Sequence, residues 1–362
     1  IHRVISFPHH YPQLMTDQDW KEHYPNLETL GQGAFARVFA KENKALKVNV
    51  FDFSNSDSVA TMREALILSK LDHPNIIKMH RSGFVRKDQR IFFEMEMPLY
   101  ESYHPWQSLS HWARKSFLYD MALTLDYIHT KDIAHQDLKP QNIMRDTHTD
   151  LYILGDWGSA GLQISDEEKK LHGSIAWEKT TSWYRSFEKV LGDQRWAKKG
   201  DIWALAVAYL HTFHKGNFFK PKIDPKDTAD QINMKLLTAI REAVIRDWNG
   251  NGLNSNSQTP WEALSGLETG LARIYPDMSD LNEIQLLEAM LDLNPERRIS
   301  AAEILKHPFL NGVSARRQLQ AEQRAVFERN AASAPESSKK KTWRKTLSLS
   351  RLFRSSAKKP PT

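Results

Sequence analysis

Apolar residues recur at two spacings along the chain, and the change from one to the other divides it. LETLGQGAFARVFA (27–40) and KALKVNV (44–50) alternate apolar and polar positions around the turn KENK, the period-two pattern of paired strands. TMREALILSKL (61–71) repeats its apolar residues at helical spacing, and Pro74 in HPNI stops it. IIKMHRSGFV (76–85) and QRIFFEMEM (89–97) predict two further strands. After Pro98 the spacing is helical. LSHWARKSFLYDMALTLDYIHT (109–130) predicts a long amphipathic helix, and DIWALAVAYLHTFH (201–214) is apolar nearly all round, as a buried helix is. TADQINMKLLTAIREAVIRDW (228–248) and LNEIQLLEAMLDL (281–293) predict two more, and GNGLNSNSQTP (250–260) is a polar loop. The prediction is a bilobal α+β architecture, with a small strand-rich lobe over about 27–97 and a larger helical lobe over about 98–309.

The flanks differ from this body. Residues 1–26 form an N-terminal extension broken by Pro8, Pro12 and Pro25. IHRVISFPHHYP lacks the apolar core of a signal peptide, and no run approaches the ~20 apolar residues that cross a bilayer, so a secreted or membrane-spanning chain is not expected. QLQAEQRAVFERNAA (318–332) predicts a helix, and SAPESSKKK (333–341) a polar linker. Composition changes the picture at two points. There is no cysteine among the 362 residues, which excludes disulfides, thiolate metal sites and cysteine nucleophiles and fits a reducing, cytoplasmic or nuclear setting. The net charge of +6 belongs to the end of the chain. Residues 339–362 hold nine Lys or Arg and no acid, and without them 41 basic residues face 44 acidic ones. A nucleic-acid-binding body is therefore not expected.

Chemistry concentrates in a few ordered places. Gly31, Gly33 and Ala36 form G-x-G-x-x-A between two strands, where missing side chains let backbone N–H groups approach phosphates. Lys47 on the next strand needs a counter-charge if buried, and Glu64 on the following helix is the natural partner. HQDLKPQNIM (135–144) is the most informative stretch. Asp137 would orient or deprotonate an acceptor hydroxyl, Lys139 would neutralise charge on a transferring phosphoryl group, and Asn142 would bind Mg²⁺. In DWG (156–158), Asp156 would bridge a second Mg²⁺ to the phosphates.

This set, in this order over about Leu27 to Phe309, resembles the eukaryotic-type protein kinase superfamily, and the fold expected is protein-kinase-like. The resemblance implies ATP and Mg²⁺ as cofactors and Asp137, Lys139, Lys47 and Glu64 as catalytic residues. It implies nucleotide contacts from Gly31, Gly33, Val38, Ala45, Lys47, Glu96, Met97 and Met144, with Asn142 and Asp156 holding metal. FFEMEMPL would supply the connection between lobes; whether Glu94 or Glu96 comes first, and whether Phe93 or Met95 guards the pocket, stays open. Lys139 and Thr181 resemble the serine/threonine class, so the expected partners are proteins with Ser or Thr acceptors. Glu188 in SFE is implied to pair with Arg298, and Asp201 to anchor the catalytic loop from a buried helix. A pseudokinase scaffold is the main alternative, and a small-molecule phosphotransferase is disfavoured by Thr181, Glu188 and Arg298.

Besides SFE (186–188), which stands for A-P-E, three positions depart from the family pattern. Ala36 stands for a third glycine, a change of one methyl group. Trp157 stands for the Phe of D-F-G and is expected to fill the same apolar slot beside His135 and Leu68. Gln136 stands for an arginine that pairs with an activation-loop phosphate, so activity independent of loop phosphorylation is expected, with Ser165, Ser174, Thr180 and Ser182 dispensable. The tail KKKTWRKTLSLSRLFRSSAKK carries Trp343, Leu347 and Phe353 among basic residues. It reads as a solvated basic tail that could also contact an anionic membrane or an acidic protein.

Overall fold

The computed structural model describes residues 15–32, 36–52, 56–102, 109–162, 184–191, 193, 195–213, separate positions between 224 and 238, and 279–332. The strand-rich lobe is a five-stranded antiparallel sheet. Its strands are β1 (Glu28–Gln32), β2 (Ala36–Lys41), β3 (Lys44–Val50), β4 (Arg81–Lys87) and β5 (Arg90–Pro98), in the order β1-β2-β3-β5-β4. Register fixes which side chains share a face. Val38 and Met95 lie opposite Lys47, Met97 lies opposite Ala45, and Glu96 lies opposite Leu46 on the other face. Helix α2 (Ser56–Leu68) packs beside β3 and carries Glu64.

The strand predicted over 76–85 begins only at Arg81. The residues before it seam the two lobes together instead. Ile77 N–H donates to the Leu154 carbonyl at 3.0 Å, Leu154 N–H to the Asn75 carbonyl at 2.8 Å, and Asn75 Nδ2 to the Tyr152 carbonyl at 2.9 Å. Backbone groups satisfied by the other lobe are not available to a sheet edge.

The N-terminal extension joins the sheet. Helix α1 (Asp17–His23) starts at a capping box between Thr16 and Asp19, with acids in its first turn and Lys21 and His23 in its last. It lays Trp20 and Tyr24 onto the outer sheet face with Phe39, Leu46, Val48 and Phe92, all buried. Tyr24 stacks on Phe39 at 5.3 Å and its hydroxyl donates to Glu94 at 2.8 Å. The boundary expected at Leu27 thus falls inside a packed unit.

The helical lobe is built around α3 (His111–His129), which Ser110 caps by accepting from Ala113 N–H. Helix α5 (Ala197–Leu210) follows the short helix α4 (Phe187–Val190) and is buried without a break from Asp201 to Leu210, as its all-round apolarity requires. Helices α6 (Leu281–Met290) and α7 (Ala301–Lys306) complete the described core. Helix α8 (Val313–Ala332) realises the helix expected beyond Phe309. It is fastened by Arg317, which donates to Asp120 at 2.5 Å and to the Asp150 carbonyl at 3.0 Å, and by Arg316 over the Trp112 ring. The loop expected over 250–260 and the basic tail lie outside the described residues, as does most of the helix expected over 228–248. No helix among the described residues is long and apolar enough to cross a membrane.

Trp20 touches three aromatic rings and is 3% exposed, so Trp20→Ala should cost about 3–5 kcal/mol of stability. Urea unfolding of the full chain reads this directly. An unchanged midpoint would show that α1 is an appendage.

Candidate active site

Lys47 stands at the meeting of the two lobes. Its Nζ lies 2.6 Å from Glu64 Oε2 on α2 and 3.0 Å from Asp156 Oδ1 on the helical-lobe side. Burial works against the Lys47 ammonium, but Asp156 and Glu64 together outweigh it and push its pKa up. Lys47 holds Asp156 down to about 2 against the opposing effect of burial. Burial dominates at Glu64 and raises it, with Lys47 pulling back. One ammonium shared by two carboxylates leaves a negative surplus suited to a cation.

Asp156 is the hinge of this arrangement. It sits at φ 56° in the left-handed region, followed by a 3₁₀ turn Trp157–Ser159 that aims its carboxylate at Lys47. Trp157 locks the turn. Its ring is fully buried, edge-on to His135 at 4.8 Å and in the same cluster as Leu68, the slot expected for it. Its backbone N–H donates to Glu64 Oε1 at 3.3 Å, and its indole N–H finds the Leu154 carbonyl at 3.3 Å.

The catalytic loop forms the second half. Lys139 Nζ donates to Asp137 Oδ2 at 2.7 Å, and Asn142 Nδ2 donates to the Asp137 carbonyl at 2.8 Å and to Oδ2 at 3.2 Å. The nitrogen end of the Asn142 amide is thereby committed, and its oxygen is the end suited to a hard cation. Asp201 on α5 accepts from the backbone N–H groups of His135 and Gln136, each at 2.8 Å, and from His129 at 3.0 Å. Burial opposes the Asp201 carboxylate, but the hydrogen bond and charge of His129, with the loop amides, hold it below the usual range. Glu188 and Arg298 form a fully buried bidentate pair at 2.6 and 2.8 Å. The guanidinium also donates to the carbonyls of Asp292 and Lys199.

The nucleotide-facing residues divide. Val38, Ala45 and Met97 lie on the sheet face that carries Lys47, and Met144 approaches from the helical lobe, where its terminal methyl fills the space a Cβ would take at Gly155. In the register of β5, Met95 lies opposite Lys47, while Phe93 lies opposite Asn49. Glu96 departs from its expected place. It lies inside β5, with its carboxylate on the outer face bound by Lys44 at 2.5 Å and Arg81 at 2.9 Å and its carbonyl accepting from His80 N–H. Two cations on neighbouring strands hold that side chain on the sheet face opposite Lys47. Gly33 and Thr181 lie outside the described residues.

The site fits a Mg²⁺-bound nucleoside triphosphate on two counts. Asn142 and Asp156 offer the hard oxygen donors Mg²⁺ prefers while leaving most of its shell to phosphate and water. Among the described residues beyond its chain neighbours, no atom lies within 4 Å of a Cβ built on Gly31, so described packing does not demand glycine there, whereas close approach by phosphate would. Sequence reasoning missed His129 and Lys189. A single His at a helix end carries no pattern, and the only signal for Lys189 is a cation directly after Glu188 in an otherwise apolar turn.

Two lobes joined by a lysine–carboxylate pair, with a catalytic Asp facing them, define a phosphotransferase of the protein-kinase type. The chain belongs to the protein kinase family: the sequence model of the protein kinase domain matches residues 24–310. Mitogen-activated protein kinase 6 of Arabidopsis thaliana is 27% identical over 307 residues, covering 80% of this chain and 73% of that protein. Mitogen-activated protein kinase mpk-1 of Caenorhabditis elegans is 29% identical over 309 residues, covering 79% of this chain and 65%, just under two thirds, of its own length.

The buried Glu188–Arg298 pair generates a stability prediction. Arg298→Met should cost about 3–5 kcal/mol by stranding the Glu188 carboxylate, and adding Glu188→Leu should recover part of that loss. Denaturant unfolding of both variants measures it. A single variant as stable as the parent would contradict the buried pairing.

Proposed function

We propose that the chain transfers the γ-phosphoryl group of ATP to Ser or Thr hydroxyls of protein substrates, without requiring phosphorylation of its activation segment. The observation that carries this reading is the Asp137–Lys139–Asn142 cluster beside the closed Lys47–Glu64–Asp156 bridge. In the transfer, the acceptor oxygen bonds to the γ-phosphorus, the bond to ADP breaks, and the hydroxyl proton passes to the Asp137 carboxylate. Asn142 and Asp156 would hold Mg²⁺, which would supply charge neutralisation for the phosphates. Lys139 stands beside Asp137, where it can offset charge on the moving group. Lys139 also supports the serine/threonine preference, and the names of the two relatives support a protein acceptor.

Independence from phosphorylation is supported from two sides. Gln136 has no guanidinium with which to grip a phosphate. The Lys47–Glu64 pair is held by Asp156 and by the Trp157 amide, both outside the segment 163–183 that carries Ser165, Ser174, Thr180 and Ser182.

Transfer of label from [γ-³²P]ATP to a generic basic protein tests the activity. Asp137→Asn should lower kcat by about 10²–10⁴-fold, and Asp156→Asn should abolish turnover at low Mg²⁺. Equal label from the parent and Asp137→Asn would favour a non-catalytic scaffold. Changing Ser165, Ser174, Thr180 and Ser182 together to Ala should leave turnover within about threefold of the parent, a change worth under 1 kcal/mol in the barrier. Near-complete loss would overturn the phosphorylation-independent reading.

A further inference from the structure

Gln136 is held in a conformation that non-glycine residues resist. Its φ is 65°, in the left-handed region that L side chains rarely adopt. Such a residue persists only where its surroundings over-determine it. One restraint is Asp201, which takes the Gln136 N–H at 2.8 Å. The other is Lys189, whose Nζ donates to the Gln136 carbonyl at 3.1 Å. The strained residue is therefore gripped at both of its main-chain polar groups, and the residue that follows it is Asp137.

Lys189 is placed for this task by its neighbours. Phe187, Glu188 and Val190 on α4 are all buried, and the Glu188–Arg298 pair fixes the helix against α5 and the segment after α6. Lys189 itself is half-buried at the wall of a cavity of about 30 Å³, which Gln136, Asp137, Tyr184 and Asp201 also line. The charged groups facing it are Asp201 from α5, Arg185 and Glu188 from its own segment, and Asp137 from the catalytic loop.

We propose that Lys189 is a positioning residue for phosphotransfer: it holds the Gln136 carbonyl, and through it Asp137, as a built-in cationic tie. This deepens the reading of a kinase independent of loop phosphorylation and rests on it. An arginine at position 136 would order this region by reaching outward to a phosphate. Here the restraint comes from inside the fold, from a lysine already in place.

Burial pushes the Lys189 ammonium down to about 8, with Asp201, Asp137 and Glu188 opposing and Arg185 reinforcing the shift. Below that pH the tie is a charged donor; above it the charge is lost and the bond weakens. The wild-type kcat should therefore fall as pH rises through about 8.

The test compares the full chain with Lys189→Met and Lys189→Arg, reading kcat, KM for ATP, the pH profile and amide hydrogen exchange over 135–142. Lys189→Met should lower kcat tenfold or more at pH 7 with KM for ATP within about threefold, and should speed exchange at Gln136. Lys189→Arg should restore most of the activity and move the alkaline fall upward, because a guanidinium stays charged. Lys189→Met with parental kcat and parental exchange would overturn the assignment, as would an Lys189→Arg profile that falls at the same pH as the parent. Exchange separates this proposal from the one beneath it. A parent chain without turnover sinks the activity reading, yet faster exchange in Lys189→Met would still uphold the tie, and unchanged exchange would still reject it.

Discussion

Everything in the site depends on one shared ammonium. Lys47 belongs to the sheet, Glu64 to the helix beside it, and Asp156 to the helical lobe, and a single Nζ reaches both carboxylates within 3.0 Å. None of the three is stable alone in this setting, since an unpaired buried charge costs far more than the net value of a pair. The bridge therefore makes the relative placement of sheet, helix and metal-binding turn a single cooperative condition. Trp157 strengthens that coupling, because one residue donates its backbone to Glu64 and its indole to Leu154. A shift of α2 breaks the ion pair and strips Trp157 of an amide partner together.

A second buried charge does the same work for the catalytic loop. Asp201 collects two loop amides and His129, so the loop backbone is set by a carboxylate in a helix that is buried without a break from Asp201 to Leu210. Its helix is in turn bound to the substrate-side segment, because Arg298 joins Glu188 to the carbonyl of Lys199, two residues before Asp201. The two anchors divide the labour. Lys47 fixes what meets the nucleotide, Asp201 fixes what meets the acceptor, and the seam of Asn75 and Ile77 against Tyr152 and Leu154 keeps them in register.

Most of this was legible in the sequence wherever chemistry demands a residue type at a spacing. Lys47, Glu64, Asp137, Asn142 and Asp156 are charged or amide groups at fixed offsets within strand, helix and loop signals, and the structure brings them together. Glu188 with Arg298 and Asp201 with the loop are likewise found as the resemblance implied. The facing of the Glu96 side chain was not legible because alternation fixes faces only once register is known, and a run such as FFEMEM reads equally well in either register. The strand expected over 76–80 starts late because Ile77 gives its backbone N–H to Leu154 in the other lobe, a long-range fact that local periodicity does not carry. Trp20 and Tyr24 were set aside with a proline-broken extension because nothing local marks the outer face of a sheet as needing a cover. Lys189 was invisible for the same reason, since its partner is a main-chain carbonyl 53 residues away.

The departures from the family pattern also have a common physical form. At Trp157 a larger ring enters the core, and it arrives with a carbonyl for its extra N–H, so no polar atom is stranded. At Gln136 a guanidinium is missing, and the Lys189 ammonium donates to the main-chain carbonyl of that residue. In each case the charge set of Lys47, Asp137 and Asp156 is untouched while its supports have been exchanged. Asp156, held in the left-handed region, stays aimed at Lys47 while the residues packed around it differ from the family pattern.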